Sequence, residues 1–384
     1  MTTQIIAETL LSEVWGGPVR LANEQSLGHN RRTPVSRWDV AQSPTSAPSV
    51  VIKCTLQEED SKFGAEKHFF DEWAGLEFLA KCFEGIGDLP APRFIAADAG
   101  ARMIVMQDIG SGIGLEDYLL GDNPQEATDA LVSMWSALGR IHAVTCGREE
   151  EYYMIRDALI PREAAPEGDL AKAFFDDWTN GLAYFGIIPP DKSFEEIQDI
   201  FSARLEDGPF RTFTHRDACP GNILWINGCA IIYDLGFASM LNASHEMCWP
   251  RMAFNTCFYR NRIPREVLDR VEAEYRIELS KGCPAALDDY QFWRQMAAGC
   301  AYTSLHFISR PGDIKWLEWQ IREAKLGRFG GIQHLLVRLD GFVDVSETHE
   351  IFPVMGEIAA AVAANIRARQ RVDFLEMPVF PAFR

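Results

Sequence analysis

The sequence predicts an α+β fold in two lobes. A small N-terminal lobe, residues 1–107, combines an antiparallel sheet with a helix; a larger, mostly helical C-terminal lobe, residues 108–384, carries one β-hairpin among its helices. Three observations predict it. Segments with strand composition crowd into the first hundred residues. Helical apolar spacing dominates after residue 115. Between those helices, two short apolar runs flank Asn227-Gly228, the strongest short-range hairpin signal.

Residues 4–15 place Ile5, Ile6, Leu10, Leu11, Val14 and Trp15 at helical spacing and stop at Gly16-Gly17. The stretch from Leu27-Gly28-His29-Asn30 through Ser36-Arg37-Trp38-Asp39-Val40 reads as strand, turn and strand. A Ser- and Pro-rich loop over 43–48 leads into residues 49–56, a strand by β-branched content. Lys53 sits in its middle with apolar residues on both sides, which points to a purposeful inward lysine. The helix over 66–83 has a stripe of Phe69, Trp73, Leu76, Ala80 and Phe83. Glu72 falls inside that stripe, Glu77 at its margin, and Asp71 points away. An acid on a buried helix face needs a partner, and Lys53 is the nearest candidate. Strands follow at 93–96 and 103–106 around a turn at Asp98-Ala99-Gly100. Gly110-Ser-Gly-Ile-Gly114 reads as a flexible crossing between lobes, and a helix begins at Leu115. Helical spacing then recurs over 128–142, 169–185, 194–205, 264–279, 288–308 and 354–370.

Closing the hairpin at Asn227-Gly228 sets its register. Ile226 then faces Cys229, Leu224 faces Ile231, and Asn222 faces Tyr233, so Asn222 and Asp234 emerge side by side at the open end. Asp217 lies in the loop feeding that end. Three oxygen-bearing side chains, two of them carboxylates, suit Mg²⁺, which takes hard oxygen ligands and shares them with nucleotide phosphates. Taken singly, an Asp or Asn beside Gly or Pro is a turn former. The set His215-Arg216-Asp217, four residues, Asn222, then an Asp after the next strand is the catalytic-loop and metal-Asp arrangement of phosphoryl-transfer enzymes of the kinase class.

Bulk composition narrows the class further. The 384 residues are enough for more than one compact lobe, and 47% hydrophobic with 24% charged is ordinary for a soluble globular chain. Nine cysteines occur singly, with no C-x-x-C pair, which speaks against a zinc site or a disulfide framework. The first residues lack a positive leader, and no apolar run reaches the ~20 residues of a membrane span. A reduced cytoplasm is the expected setting, with no membrane partner. The net charge of −18 argues against a basic nucleic-acid face; it fits attraction of small cations, and solubility by itself also accounts for it.

The motifs in order resemble the aminoglycoside phosphotransferase and choline kinase group, small-molecule relatives of protein kinases, over roughly residues 20–240. The resemblance runs through Gly28-His29-Asn30, Val51-Ile52-Lys53, the Glu72 helix, Leu89-Pro-Ala-Pro92, Ile104-Val-Met-Gln107, Ala137-Leu-Gly-Arg-Ile-His142, Thr214-His-Arg-Asp217…Asn222 and Tyr233-Asp234-Leu-Gly236. It implies a protein-kinase-like fold with a catalytic hairpin in the C-lobe, and ATP and Mg²⁺ as cofactors. It implies that Asp217 accepts or orients the acceptor hydroxyl and that His215 braces the loop. Asn222 and Asp234 hold Mg²⁺, and Lys53, positioned by Glu72, touches the α/β-phosphates. Gly28 and Asn30 take the place of the nucleotide loop, and backbone from Gln107 to Ile109 faces the adenine. Arg216 stands where the family often has Gly, the metal motif reads Asp-Leu-Gly, and Gln107 replaces a frequent hinge acid.

The expected activity is transfer of the ATP γ-phosphoryl group to a hydroxyl of a small metabolite or aminoglycoside-like molecule, the acidic balance tilting the acceptor toward a cation. A protein kinase is the rival in chemistry, but no Ala-Pro-Glu follows Asp234 and no Gly-x-Gly-x-x-Gly precedes Lys53. A catalytically silent nucleotide-binding module is the rival of another class. Specificity is expected in the helices after 240, where Glu246, Asp288 and Asp289 are the candidate acids, read as solvated in preference to ligands. The sequence does not show the oligomeric state.

Overall fold

The computed structural model describes residues 2–28, 33–56, 64–161, 169–205, 208–254, 261–308, 330–369 and 376–384. Its N-terminal part opens with α1 (Thr3–Trp15), capped by the Thr2 hydroxyl and stopped at Gly16, whose φ of 72° lies in the left-handed region. Five strands follow: β1 (Arg20–Ser26), β2 (Val35–Gln42), β3 (Ser49–Cys54), β4 (Phe94–Asp98) and β5 (Met103–Gln107). They form one antiparallel sheet in the order β1-β2-β3-β5-β4, with α2 (Ala65–Cys82) inserted between β3 and β4. Alternation along the central strands sends their side chains to opposite faces. Val50, Ile52, Met103 and Val105 pack with Ala7 and Leu11 of α1, while Val51, Ile104 and Met106 join the main core with Phe69 and Leu76 of α2. Lys53 lies on the Val51 side, paired in register with Val35 and Ile104.

The C-terminal part contains β6 (Ile113–Gly114), α3 (Leu115–Leu120), α4 (Pro124–Thr145), α5 (Glu149–Leu159), α6 (Leu170–Ala183) and α7 (Lys192–Leu205). After these come β7 (Arg211–Thr214), β8 (Ile223–Ile226), β9 (Cys229–Ile232) and β10 (Ser239–Asn242). The chain closes with α8 (Arg265–Ser280), α9 (Asp289–Leu305), α10 (Gly330–His349) and α11 (Pro353–Ala368). This is the expected two-lobed α+β architecture. The hairpin register is the one read from the sequence, Ile226 opposite Cys229 and Leu224 opposite Ile231. Asn227 at φ 51° and Gly228 at φ 81° supply the two left-handed residues of its turn.

Three local readings need correction. The crossing between lobes is not a free linker: Ile113 and Gly114 pair with Trp225 and Leu224, adding a third strand to the hairpin. A Cβ on Gly112 would lie 2.7 Å from Ile226 Cγ1 and 2.9 Å from the Trp225 carbonyl, so this glycine serves close approach rather than flexibility. Asp71 does not point to solvent; it is buried, because α2 is covered by the sheet on one side and by α5 on another. Helices α5 and α10 escape a search for apolar stripes. The first buries only Tyr152 and Arg156, and the second is interrupted by Gly341, which packs against the Arg251 carbonyl.

Candidate active site

Lys53 is the centre of the site. Its Nζ lies 2.7 Å from Glu72 Oε2 and 2.6 Å from Asp234 Oδ1, so one ammonium joins β3, α2 and the segment after β9. Burial works against the charge on Lys53, but the Glu72 and Asp234 carboxylates outweigh it and raise its pKa. For Asp234, too, burial is opposed by Lys53, and the net direction is downward. Burial raises Glu72, the most enclosed of the three, with Lys53 pulling the other way. Asp234 itself sits at φ 64°, a left-handed conformation that a non-glycine residue adopts at a cost.

The second half of the site is the loop from His215 to Asn222. The Asn222 side-chain amide donates to the Asp217 carbonyl at 2.8 Å and to Asp217 Oδ2 at 3.1 Å. The Asn222 carbonyl in turn accepts from the Tyr233 N–H at 3.1 Å, which places it one residue from Asp234. His215 has both ring nitrogens engaged: Nδ1 accepts from the Asp217 N–H at 3.1 Å, and Nε2 faces the Tyr233 carbonyl at 2.8 Å. A carbonyl can only accept, so the network assigns the proton to Nε2. With neither nitrogen available to a substrate, the ring is a brace between the loop and the hairpin.

What holds this loop was not legible beforehand. Glu246, expected to be solvated, is fully buried; its Oε1 accepts from the His215 N–H at 3.0 Å and its Oε2 from the Arg216 N–H at 2.8 Å. His142 of α4 lies 2.7 Å from Glu246 Oε1 and passes the chain on to the Tyr275 hydroxyl at 2.7 Å. Burial would raise Glu246, but the hydrogen bonds from His142 and the backbone hold its carboxyl below the ordinary range. These bonds fix Arg216 at φ 64° directly before Asp217. The one signal in the sequence is an acid placed directly before the apolar run Met247-Cys248-Trp249. Asp288 caps α9, and Asp289 pairs with Arg276, so neither is a candidate ligand.

The remaining sites read from the sequence lie around this pair of clusters. Gly28 leaves β1 at a point where Leu27 N–H bonds the Val35 carbonyl, and Val35 is the register partner of Lys53, so the turn after β1 starts level with the lysine. Asn30 lies outside the described residues. Gln107 ends β5 with an exposed side chain, and Ile109 follows it half-buried. The residue between them is the organised one. Asp108 accepts from Arg37 Nε at 2.6 Å, Ser49 Oγ at 2.7 Å and the Gly110 N–H at 2.9 Å. It therefore clamps the start of the crossing to β2 and β3.

The donors available to a cation are all oxygen. Asn222 spends its N–H group on Asp217 and retains its amide oxygen; Asp234 spends Oδ1 on Lys53 and retains Oδ2. Two hard donors fit Mg²⁺, which keeps several waters and takes one or two protein groups plus phosphate oxygens. Among the described residues, no group of three or more His, Cys, Asp or Glu side chains could hold a metal by itself.

A second contact steadies α2. Asp71 Oδ1 accepts from Arg156 Nε at 3.0 Å, and Asp71 Oδ2 lies 2.7 Å from Lys67. Arg156 also donates to the carbonyls of Ile160 and Pro161, ending α5. The residue next to Glu72 is thus locked to the opposite lobe.

Comparison with known proteins gives a family match over residues 61–287, to the phosphotransferase enzyme family. Among solved structures, the chain is similar to a choline kinase from Cryptosporidium parvum (10% identity, 90% of this chain and 93% of that one, TM-score 0.44). It is similar to a macrolide 2′-phosphotransferase from Brachybacterium faecium (13%, 79% and 91%, TM-score 0.44). A choline/ethanolamine kinase family protein from Mesorhizobium loti also matches (14%, 94% and 100%, TM-score 0.38). A search among curated proteins finds no match.

Proposed function

Because the chain belongs to the phosphotransferase enzyme family, whose match covers more than half of it, we propose that it transfers the γ-phosphoryl group of ATP to a hydroxyl of a small molecule. The observation that carries this reading is Lys53 joined to both Glu72 and Asp234, with Asp217 and Asn222 on the adjoining loop. The lobes divide at 107/108, where Gln107 ends the nucleotide-binding part and Asp108 begins the catalytic part.

Each residue has a role its position permits. Lys53 is a point charge that exchanges Asp234 for nucleotide phosphate oxygens while Glu72 keeps it extended. Asp217, aimed by the Asn222 amide, accepts or orients the proton of the acceptor hydroxyl. Asn222 and Asp234 supply oxygens to Mg²⁺; when bound, it neutralises charge developing on the phosphate oxygens. His215 and Glu246 hold the loop so that Asp217 needs no rearrangement at the moment of transfer, a preorganisation on which this chemistry depends. Gly28 and Asn30 flank the phosphates, and backbone from Gln107 to Ile109 borders the base. A net charge of −18 favours an acceptor bearing an amine or quaternary ammonium. A reducing cytoplasm suits the free thiols.

The test is a coupled ATP-turnover assay with Mg²⁺ across amino-alcohols, aminoglycosides, sugars and hydroxy-amino acids, run on the natural chain and on Asp217→Asn. The expected result is acceptor-dependent turnover that falls by about 10²–10⁴ in the variant while ATP still binds. Undiminished turnover in Asp217→Asn would remove that residue from the mechanism.

A further inference from the structure

Two thiols far apart in sequence meet at the end of α4 opposite the candidate active site's supporting strand. Cys146, the C-cap of α4, and Cys283, just past α8, both hydrogen-bond one atom: their Sγ atoms lie 3.0 Å and 2.8 Å from the Pro209 carbonyl oxygen. Backbone beside both thiols closes on a second atom. The Cys146 N–H reaches the Ala143 carbonyl at 3.4 Å, and that same oxygen is so close to Gly282 that a Cβ there would lie 1.9 Å from it. Gly282 is therefore what lets the α8 turn seat against the last turn of α4, and the two cysteines are brought together by backbone that cannot separate without unpacking.

The two are not equivalent. Cys146 is partly exposed and Cys283 is buried. The neighbouring Cys283 thiol lowers the Cys146 pKa against burial, whereas Cys146 and burial both raise Cys283. An accessible thiol with enhanced thiolate character beside a shielded one is the arrangement of an attacking and a resolving cysteine. The molecule holds an internal contrast: Cys248 and Cys300 also influence each other's titration, but both are fully buried.

We propose that Cys146 and Cys283 form a reversible redox modification site whose co-reactant is a low-molecular-weight disulfide of the glutathione type. The Cys146 thiolate attacks one sulfur of the disulfide; a Cys146–S–S–R bond forms, the R–S–S–R bond breaks, and the first RS⁻ leaves. Cys283, as its thiolate, then attacks the Cys146 sulfur. The Cys146–Cys283 bond forms, the mixed disulfide breaks, and the second RS⁻ leaves. The protein dithiol loses two electrons, the small disulfide gains them, and the two protons end on two RSH molecules. The product joins α4 to the turn after α8 across Pro209, immediately before β7, which leads to His215. Thr145 and His142 of α4 already bond Thr212 of that strand.

The experiment treats the reduced full-length chain with oxidised glutathione, blocks remaining thiols, digests with trypsin without reductant and reads the peptides by mass spectrometry. Residues 141–148 and 282–294 are expected as one linked species, two hydrogens lighter than the sum of its parts and lost on adding dithiothreitol. Cys283→Ser is expected to stop at glutathione retained on Cys146, and Cys146→Ser to show no glutathione on Cys283. The proposal is overturned if the natural chain keeps stable glutathione on Cys146 without the link, if neither thiol reacts, or if Cys248 and Cys300 link in their place.

Discussion

The contact between Asp71 and Arg156 offers a direct test of how the lobes hold Glu72 in place. Both side chains are about 5% exposed and the pair measures 3.0 Å. Removing one partner of a buried pair costs about 3–5 kcal/mol, because the remaining charge is left without compensation. Here Lys67 stays on the other Asp71 oxygen at 2.7 Å, so Arg156→Met belongs at the low end, about 3 kcal/mol. Asp71→Asn leaves Arg156 its two carbonyl acceptors and should cost roughly 2 kcal/mol. The double variant should show a coupling of about 1–2 kcal/mol, the range for residues in direct contact. If half of the Arg156→Met loss reaches Glu72, one residue along α2, ATP should bind roughly tenfold more weakly, since a factor of ten corresponds to about 1.4 kcal/mol. Urea unfolding of the four proteins gives the cycle, and calorimetric titration with ATP and Mg²⁺ gives the affinity without knowledge of the acceptor. Coupling below about 0.5 kcal/mol together with unchanged ATP affinity would refute the idea that this pair positions the helix.

Three further outcomes are expected. Lys53→Met should lower turnover by about 10²–10³, the cost of losing one preorganised charge donor at a developing anion, and a steady-state assay reads it. Glu246→Gln turns one of its two oxygens into an NH₂ that must face a backbone N–H, so it should destabilise the chain by about 2–3 kcal/mol. Because Glu246 is held below the usual carboxylate range, its stabilisation is present above about pH 4.3 and lost as pH falls through the lower folded-state value. Unfolding measured from pH 7 to pH 3 should therefore show a shallower acid loss in that variant. Gly112→Ala forces a methyl against Ile226 and the Trp225 carbonyl and should cost about 1–3 kcal/mol in thermal or urea unfolding.

The sequence was most informative where one local rule decided the structure. Asn227-Gly228 could make only one tight turn, and that turn alone set the register from Asn222 to Tyr233. The inward Lys53 and in-stripe Glu72 were legible because strand and helix periods place side chains without knowledge of the tertiary fold. What stayed hidden depended on distant partners. A single apolar stripe points Asp71 outward, whereas α5 supplies a second buried face. Little near Glu246 in sequence marks it as buried, because its three partners come from residues 142, 215 and 216. The glycines at 110–114 looked like slack because composition alone cannot distinguish a loose segment from one pressed against another backbone.

That pressed segment has a mechanical consequence. On one side, Asp108 is fastened to Arg37 and Ser49 and turns back onto Gly110; on the other, Ile113 and Gly114 are stitched to the hairpin. Between these anchor points the covalent bridge has little more than Ser111 to rotate about. Any swing of one half over the other must pivot there, and the strand that follows Asn222 will be tugged in step with it.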